Sequence, residues 1–322
     1  MARTRLYRHG VLEAEGFPVA EVSDHVADPS CAIWFDLCSP SPEELAMISE
    51  ELGLHELAVE DVLQDRQRPK LDVYDSHLFL TVYGERLDDE TGELASTEIN
   101  VFVTPNALVT VRDNDLFDMR EVVKRWDANR DLAKYGVGYL LHGLLDVVVD
   151  GHFTVIQALD DQLEDLESDL FDGRPSPALQ RHTFALRKSL VGFRRSALPM
   201  REVVNSLIRR DLHVVEPGMA PYYQDVYDHV LRIAEWTDSL RDLITNIRET
   251  HLTQQGYRLN DIMKKLTSWA AIIAVPTMIT GFYGQNVPYP GSEQPIGFWT
   301  SSLVIVVASA GLYLAFRKRD WL

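Results

Sequence analysis

LTSWAAIIAVPTMITGFYGQN, residues 266–286, contains no charged side chain, and the charge-free stretch around it runs from Lys265 to Glu293. About 20 mainly apolar residues suffice to cross a bilayer as a helix, so this stretch predicts a membrane span. A second charge-free stretch, 295–316, predicts another. Arg258, Lys264 and Lys265 precede the first, Arg317, Lys318 and Arg319 follow the second, and the connection has no Lys or Arg. The positive-inside rule then puts both termini in the cytoplasm and the connection outside, as in a multi-pass protein of the cell (inner) membrane. Trp269, Tyr283, Trp299 and Trp321 fall near the span ends, where interfacial aromatics belong.

Pro276 interrupts the first span, a defect a membrane helix tolerates if neighbouring helices or hydroxyls such as those of Thr277 and Thr280 satisfy the carbonyl it frees. Two spans enclose no polar pathway by themselves, so a transport role calls for several copies in a symmetric oligomer.

The whole chain has 322 residues and a formal net charge of −18, from 49 acidic against 31 basic side chains. That excess argues against nucleic acid, whose phosphates need concentrated Lys and Arg, and favours cations as company. Cys31 and Cys38 lack metal-ligand spacing and read as reduced structural thiols. The ten histidines are scattered without an HExxH pair, and no nucleophile, base and orienter recur at motif spacing, so an enzyme is not expected.

Upstream of the spans, 31–37, 78–83, 99–103 and 107–112 read as strands, and Ser41-Pro42-Glu43-Glu44 opens a helix closed by Gly53. The fold class is therefore α+β: a cytoplasmic α/β domain (1–131), an acidic antiparallel helical hairpin (132–216), and a stalk helix continuing into the first span (217–283). An external loop (284–295) and the second span with its basic tail (296–322) complete the chain. The hairpin helices are expected over 138–171 and 177–211, split by the breaker at 172–177. If helical throughout, 221–283 extends for about 95 Å, more than any bilayer needs.

The run from Asp160 to Asp169 reads first as a solvated helix face, with concentration of a hydrated divalent ion as the sharper alternative. Asp225 and Asp228, three residues apart, share one side of the stalk, and Asp88 or Asp89 could supply a carboxylate from a neighbouring copy. Along the first span and its approach, Asn260, Met263, Leu266, Ala270, Ala274 and Thr277 form a narrow stripe. Such a stripe packs helices and, in a ring of copies, also lines a pore. Mg2+ sheds water reluctantly, so the carbonyls of Gln285 and Asn286 suit its hydration shell while Gly284 lets the chain turn. Glu293, the charged residue of the loop, would raise the local cation concentration.

These residues resemble the CorA-type divalent metal transporters over nearly the whole chain. Tyr283-Gly284-Gln285-Asn286 is similar to that family's Tyr-Gly-Met-Asn signature. Pro221-Tyr-Tyr-Gln-Asp-Val-Tyr-Asp-His229 resembles its stalk motif, Arg68-Pro69-Lys70 with Tyr74 its N-terminal motif, and Leu198-Pro199-Met-Arg-Glu-Val203 a further one. The resemblance implies a homopentameric funnel in the lipid bilayer, with the first spans around a pore for Mg2+ and also Co2+ or Ni2+. It further implies cytoplasmic Mg2+ bound between subunits by Asp225 and an α/β-domain acid, Asp88 or its neighbour Asp89. Glutamine at 285 departs from the signature methionine. That leaves two alternatives: a Zn2+ transporter of the ZntB type and a non-conducting, membrane-tethered metal sensor.

Overall fold

The computed structural model describes the chain except residues 1–2, 19–20, 27, 65–66, 172–176, 210–211, 213, 286–287 and 289–293. It divides into two compact units, Met1–Ile244 and Thr245–Leu322. The strands are β1 (Arg3–Arg8), β2 (Val11–Glu15), β3 (Cys31–Cys38), β4 (Lys70–Val73), β5 (Leu78–Leu87), β6 (Leu94–Val103) and β7 (Ala107–Arg112). The helices are α1 (Val22–Val26), α2 (Pro42–Leu52), α3 (Glu56–Leu63), α4 (Met119–Ala128), α5 (Gly136–Phe171), α6 (Pro177–Ala197), α7 (Met200–Arg209), α8 (Ala220–Tyr283) and α9 (Pro295–Lys318).

The strands form one mixed sheet in the order β2-β1-β3-β7-β6-β5-β4. Two antiparallel meanders meet in it at the parallel pairing of β3 with β7. Ile33, Phe35, Phe79, Phe102 and Val109 face a core shared with Leu45 and Ile48 of α2 and Ala58 of α3. On the opposite face Trp34 meets Trp126 of α4 edge-on, at 4.9 Å between ring centroids, and α5 runs across β3, β5 and β7. The first unit is therefore a sheet with helices on both sides.

Local rules account for the element ends. Ser41 and Glu44 form a capping box at the start of α2, Pro42 occupies the first turn, and Gly53 ends the helix at φ 60°. Pro199 has no N–H to give, so the helix expected over 177–211 is divided between α6 and α7. The breaker expected at 172–177 falls largely outside the described residues. Strands β1, β2 and β4 were not among those expected. β1 hides from a hydrophobic-pattern reading because its buried Arg5 is charged, its guanidinium held by Asp127 and Glu15.

Arg130–Asp169, α8 and α9 are all long and apolar enough to cross a membrane. In the first of these, 67% of the apolar window is buried inside the protein, against 6% in α8 and none in α9. The apolar side of α5 is core, packed through Leu140, Leu144 and Val148. Within the first unit, α8 buries Tyr223, Val226, Val230, Ile233 and Leu240, spaced three, four or seven residues apart, and the Tyr223 hydroxyl donates to the Gly138 carbonyl at 2.8 Å.

At the seam between the meanders, Arg112 donates to both carboxylate oxygens of Asp36, at 3.0 and 2.7 Å, with neither side chain more than 2% exposed. Removing one partner of such a pair strands a buried charge and costs about 3–5 kcal/mol. Asp36→Ala is expected to lower the thermal midpoint of the full chain in detergent by that equivalent, followed by far-UV circular dichroism. An unchanged midpoint would show that the seam does not depend on the pair.

Candidate functional site

Asp88 begins the turn between β5 and β6. Its Oδ1 accepts from the amides of Glu90 and Thr91, at 3.1 and 2.7 Å, and from the Thr91 hydroxyl at 2.8 Å. The Thr91 amide and hydroxyl hold this carboxyl below the usual range, so it is anionic at neutral pH. The backbone closes the same turn through Asp88 N–H to Glu93 and Gly92 N–H to Asp88, both at 2.9 Å. Asp88 is thus part of the turn it occupies. The carbonyl of Asp89 accepts from Gln162 of α5 at 3.4 Å, and on α6 the Ser189 hydroxyl donates to the Gly92 carbonyl at 2.6 Å.

Asp225 and Asp228 are both exposed near the start of α8, on either side of buried Val226. Asp228 accepts from Gln224 at 3.0 Å. Asp225 is close enough to act electrostatically on His142 and Asp146 of α5. Beside them Arg125 of α4 forks between Asp146 and Asp150, making an ion pair with each. Burial raises the Asp146 carboxyl, against the pull of Arg125. Sequence reading passed over Arg125, Asp146 and Asp150. Their signal was the pair of acids one turn apart in the mainly apolar first half of α5, where unpaired charge is rarely buried.

Among the described residues no three of His, Cys, Asp or Glu converge as a metal site. The four acids singled out from sequence therefore do not close such a site within one chain. In the run from Asp160, residues Asp161, Glu164 and Asp165 are exposed above buried Leu159, Leu163 and Leu166, and Asp160 accepts from Trp236. That is a solvated helix face with its apolar stripe beneath.

In the second unit Asn260, Met263, Leu266, Ala270, Ala274 and Thr277 are all exposed along α8, whereas Ser268 is fully buried. Thr277 donates to the Ile273 carbonyl at 2.9 Å and Thr280 to Pro276 at 3.0 Å. Neither is bonded to the carbonyl of Ile272 that Pro276 frees, so of the two partners the sequence left open for it, hydroxyl or neighbouring helix, the hydroxyls are not the one. Each hydroxyl instead finds the acceptor four residues back on its own helix, the nearest one a threonine offers. Gly284 N–H donates to Thr280 at 2.8 Å, and Gln285 follows it, exposed. Asn286 and Glu293 lie outside the described residues.

A family model described as CorA-like Mg2+ transporter protein matches residues 30–318. The cobalt/magnesium transport protein CorA of Thermotoga maritima is 30% identical over 300 residues, covering 92% of this chain and 85% of that one. A zinc transport protein, ZntB of Yersinia pseudotuberculosis, is 22% identical over 97% of this chain and 94% of its own. Among solved structures, the CorA magnesium transporter of Methanocaldococcus jannaschii superposes with a TM-score of 0.81 at 24% identity, covering 100% of this chain and 99% of that one. These matches are described as transport proteins, not as enzymes.

Burial holds the His142 imidazole down to about 4, and the nearby Arg125 adds to the effect. A folded-state value below the unfolded 6.5 gives stability that is present above pH 6.5 and lost as the pH falls toward 4. His142→Phe keeps a ring against Tyr222 and Tyr223 and removes the titration. Relative to the parent, the variant should gain about 2 kcal/mol between pH 7 and pH 5 in urea unfolding. A pH-independent difference would show that His142 titrates normally.

Proposed function

The chain belongs to the CorA-like Mg2+ transporter family, and from that premise we propose that it conducts divalent cations, chiefly Mg2+ with Co2+ and Ni2+ as further cargo, through a pore shared by five copies. The observation that carries the reading is the row from Asn260 to Thr277, wholly exposed on a helix whose apolar window is 6% covered. A membrane-length helix that leaves small and polar residues uncovered has a face for other copies of itself as well as one for lipid. In a ring, that row surrounds the axis, with Met263 and Leu266 as its apolar girdle.

Gly284, Gln285 and Asn286 then form the outer entrance, where side-chain carbonyls accept hydrogen bonds from the water around the ion. Glu293 draws cations toward it. The basic flanks set both termini in the cytoplasm. There, Mg2+ bound between Asp225 and Asp228 of one copy and Asp88 or Asp89 of the next holds the ring closed. When the ion leaves, like charges repel, the stalks separate and the girdle hydrates.

The departure from the signature methionine at 285 leaves zinc transport of the ZntB type as a second reading, and loss of conduction as a third. Flux into liposomes carrying the purified chain distinguishes them. Mg2+ uptake is expected without a proton gradient. Zn2+ uptake driven by protons and no Mg2+ current would establish the second reading, and no flux until Gln285→Met is introduced would establish the third.

A paired Asp225→Asn, Asp228→Asn variant should need at least several-fold more Mg2+ on the cytoplasmic side to arrest flux. An unaltered Mg2+ dependence would remove these acids from gating.

A further inference from the structure

Glu85 stands on β5, three residues before Asp88 and opposite Ser96 of β6. Its side chain is 1% exposed. Oε1 accepts from the Ser196 hydroxyl of α6 at 2.5 Å and from Ser96 at 3.3 Å, while Oε2 has no hydrogen-bond partner among the described residues. The ionisable group nearest it is the equally buried His152 of α5, with Nε2 at 3.7 Å from Oε2. That nitrogen lies 2.8 Å from the Tyr83 carbonyl, so it carries a proton and donates it there. Glu85 is thus a buried carboxyl without a cation against it, and such a group keeps its proton.

Around this carboxyl stand Tyr83 from its own strand, Ser96 from β6, His152 from α5 and Ser196 from α6. A cavity of about 340 Å3 opens beside it, lined also by Arg86, Asp89, Thr97, Phe117, Asp118 and Thr154. Arg86 is the cation of that lining; its charge acts on Asp88, whereas the Glu85 carboxyl is governed by its burial and by the two serines. Burial pushes its carboxyl up to about 8 and holds His152 down to about 4, so the pair is neutral near pH 7.

Helix α6 grips the β5–β6 hairpin twice. Ser189 donates to Gly92 and accepts from the Leu94 amide at 3.1 Å, and Ser196, two turns further along the same side, donates to Glu85. The outer grip holds the turn and the inner grip holds the strand that leads into it. We propose that Glu85 is a proton-operated latch, which releases the inner grip and loosens the turn carrying Asp88 when the surrounding solution becomes alkaline. The anion leaves its uncharged niche for the adjoining cavity, and the Ser196 bond goes with it. Because the folded-state carboxyl lies above its unfolded value of about 4.5, the latch's contribution is complete at acid pH and lost as the pH rises toward 8. Its consequence for cation sensing rests on the role assigned to Asp88 above, but the latch itself can be observed without any transport.

Hydrogen exchange of the full chain in detergent, without divalent metal, tests it at pH 6.5 and pH 9, with rates corrected for intrinsic exchange. The amides of 84–94 should lose protection on the order of tenfold, while those of α2 keep theirs. Glu85→Gln has the shape of the protonated carboxyl and no titration, so its protection should not depend on pH. Ser196→Ala removes the inner grip itself, so these amides should already be less protected at pH 6.5 and change less between pH 6.5 and pH 9 than in the parent. Constant protection in the parent, or an equal loss in Glu85→Gln, overturns the latch. If Glu85→Gln does not fold, Ser196→Ala decides, and full protection at pH 6.5 or a pH-dependent loss as large as the parent's overturns the latch. Absence of ion flux would leave each of these results standing.

Discussion

Asp36 and Arg112 face each other where two antiparallel meanders are joined by a parallel pairing, and the rest of the first unit is organised from that contact. Both charges are buried, so the geometry has to satisfy both. Arg112 spends Nε and one terminal nitrogen on Asp36 and the other on the carbonyls of Asn114 and Phe117 and the carboxylate of Asp115. The Asp36 carboxylate also accepts from Thr110, whose oxygen in turn accepts from Trp34. One guanidinium therefore fixes the register of β3 against β7 and the path of the loop from 113 to 118. A one-residue slip would move every side chain of β3 to the wrong face and strand the pair.

The loop so fixed ends at Asp118, which caps α4, and α4 brings Trp126 against Trp34 and Arg125 against the acids of α5. Phe117 in the same loop lies where a side chain at Gly84 would have to go, which keeps β5 close to the loop and shapes the cavity beside Glu85. The hairpin carrying Asp88 and the helix neighbouring Asp225 are thus placed by contacts that trace back to the seam. The acids themselves are exposed or spent on a local turn. Their supports are buried, and it is the supports that stability selects.

Much of this was legible in the sequence where a single physical rule dominates. Charge-free stretches of membrane length leave few alternatives, and the Ser41 capping box with its Gly53 stop marks α2 directly. Pattern reading failed where burial is carried by charge. β1 reads as basic because Arg5 needs its partners, Asp127 and Glu15, to be buried at all, and those partners are distant in sequence. The same holds for Glu85 and His152, which no local pattern marks and which meet only once α5 has crossed β5. Pro199 breaks a helix by its chemistry, yet the apolar period continues across it and hides the boundary of α6 and α7, so one helix was expected over 177–211. Asp88 was legible as a turn acid, but its three hydrogen bonds within the turn follow from the closure of the backbone around it.

Gln285 matters because of what the sequence around it lacks. From residue 252 to 322 the sequence contains neither His nor Cys. A borderline-soft ion such as Zn2+ gains most from imidazole nitrogen and thiolate sulfur, and this segment offers it neither. If Gln285 stands at the entrance as proposed, glutamine in place of methionine moves it further the same way, from a polarizable thioether to an amide oxygen. That oxygen accepts from coordinated water without needing to displace it, which suits an ion that gives up its hydration reluctantly. Between Lys265 and Glu293 there is no carboxylate to hold such an ion tightly. Selection by an intact hydration shell at the mouth, followed by passage past uncharged residues, is the discrimination this composition can perform.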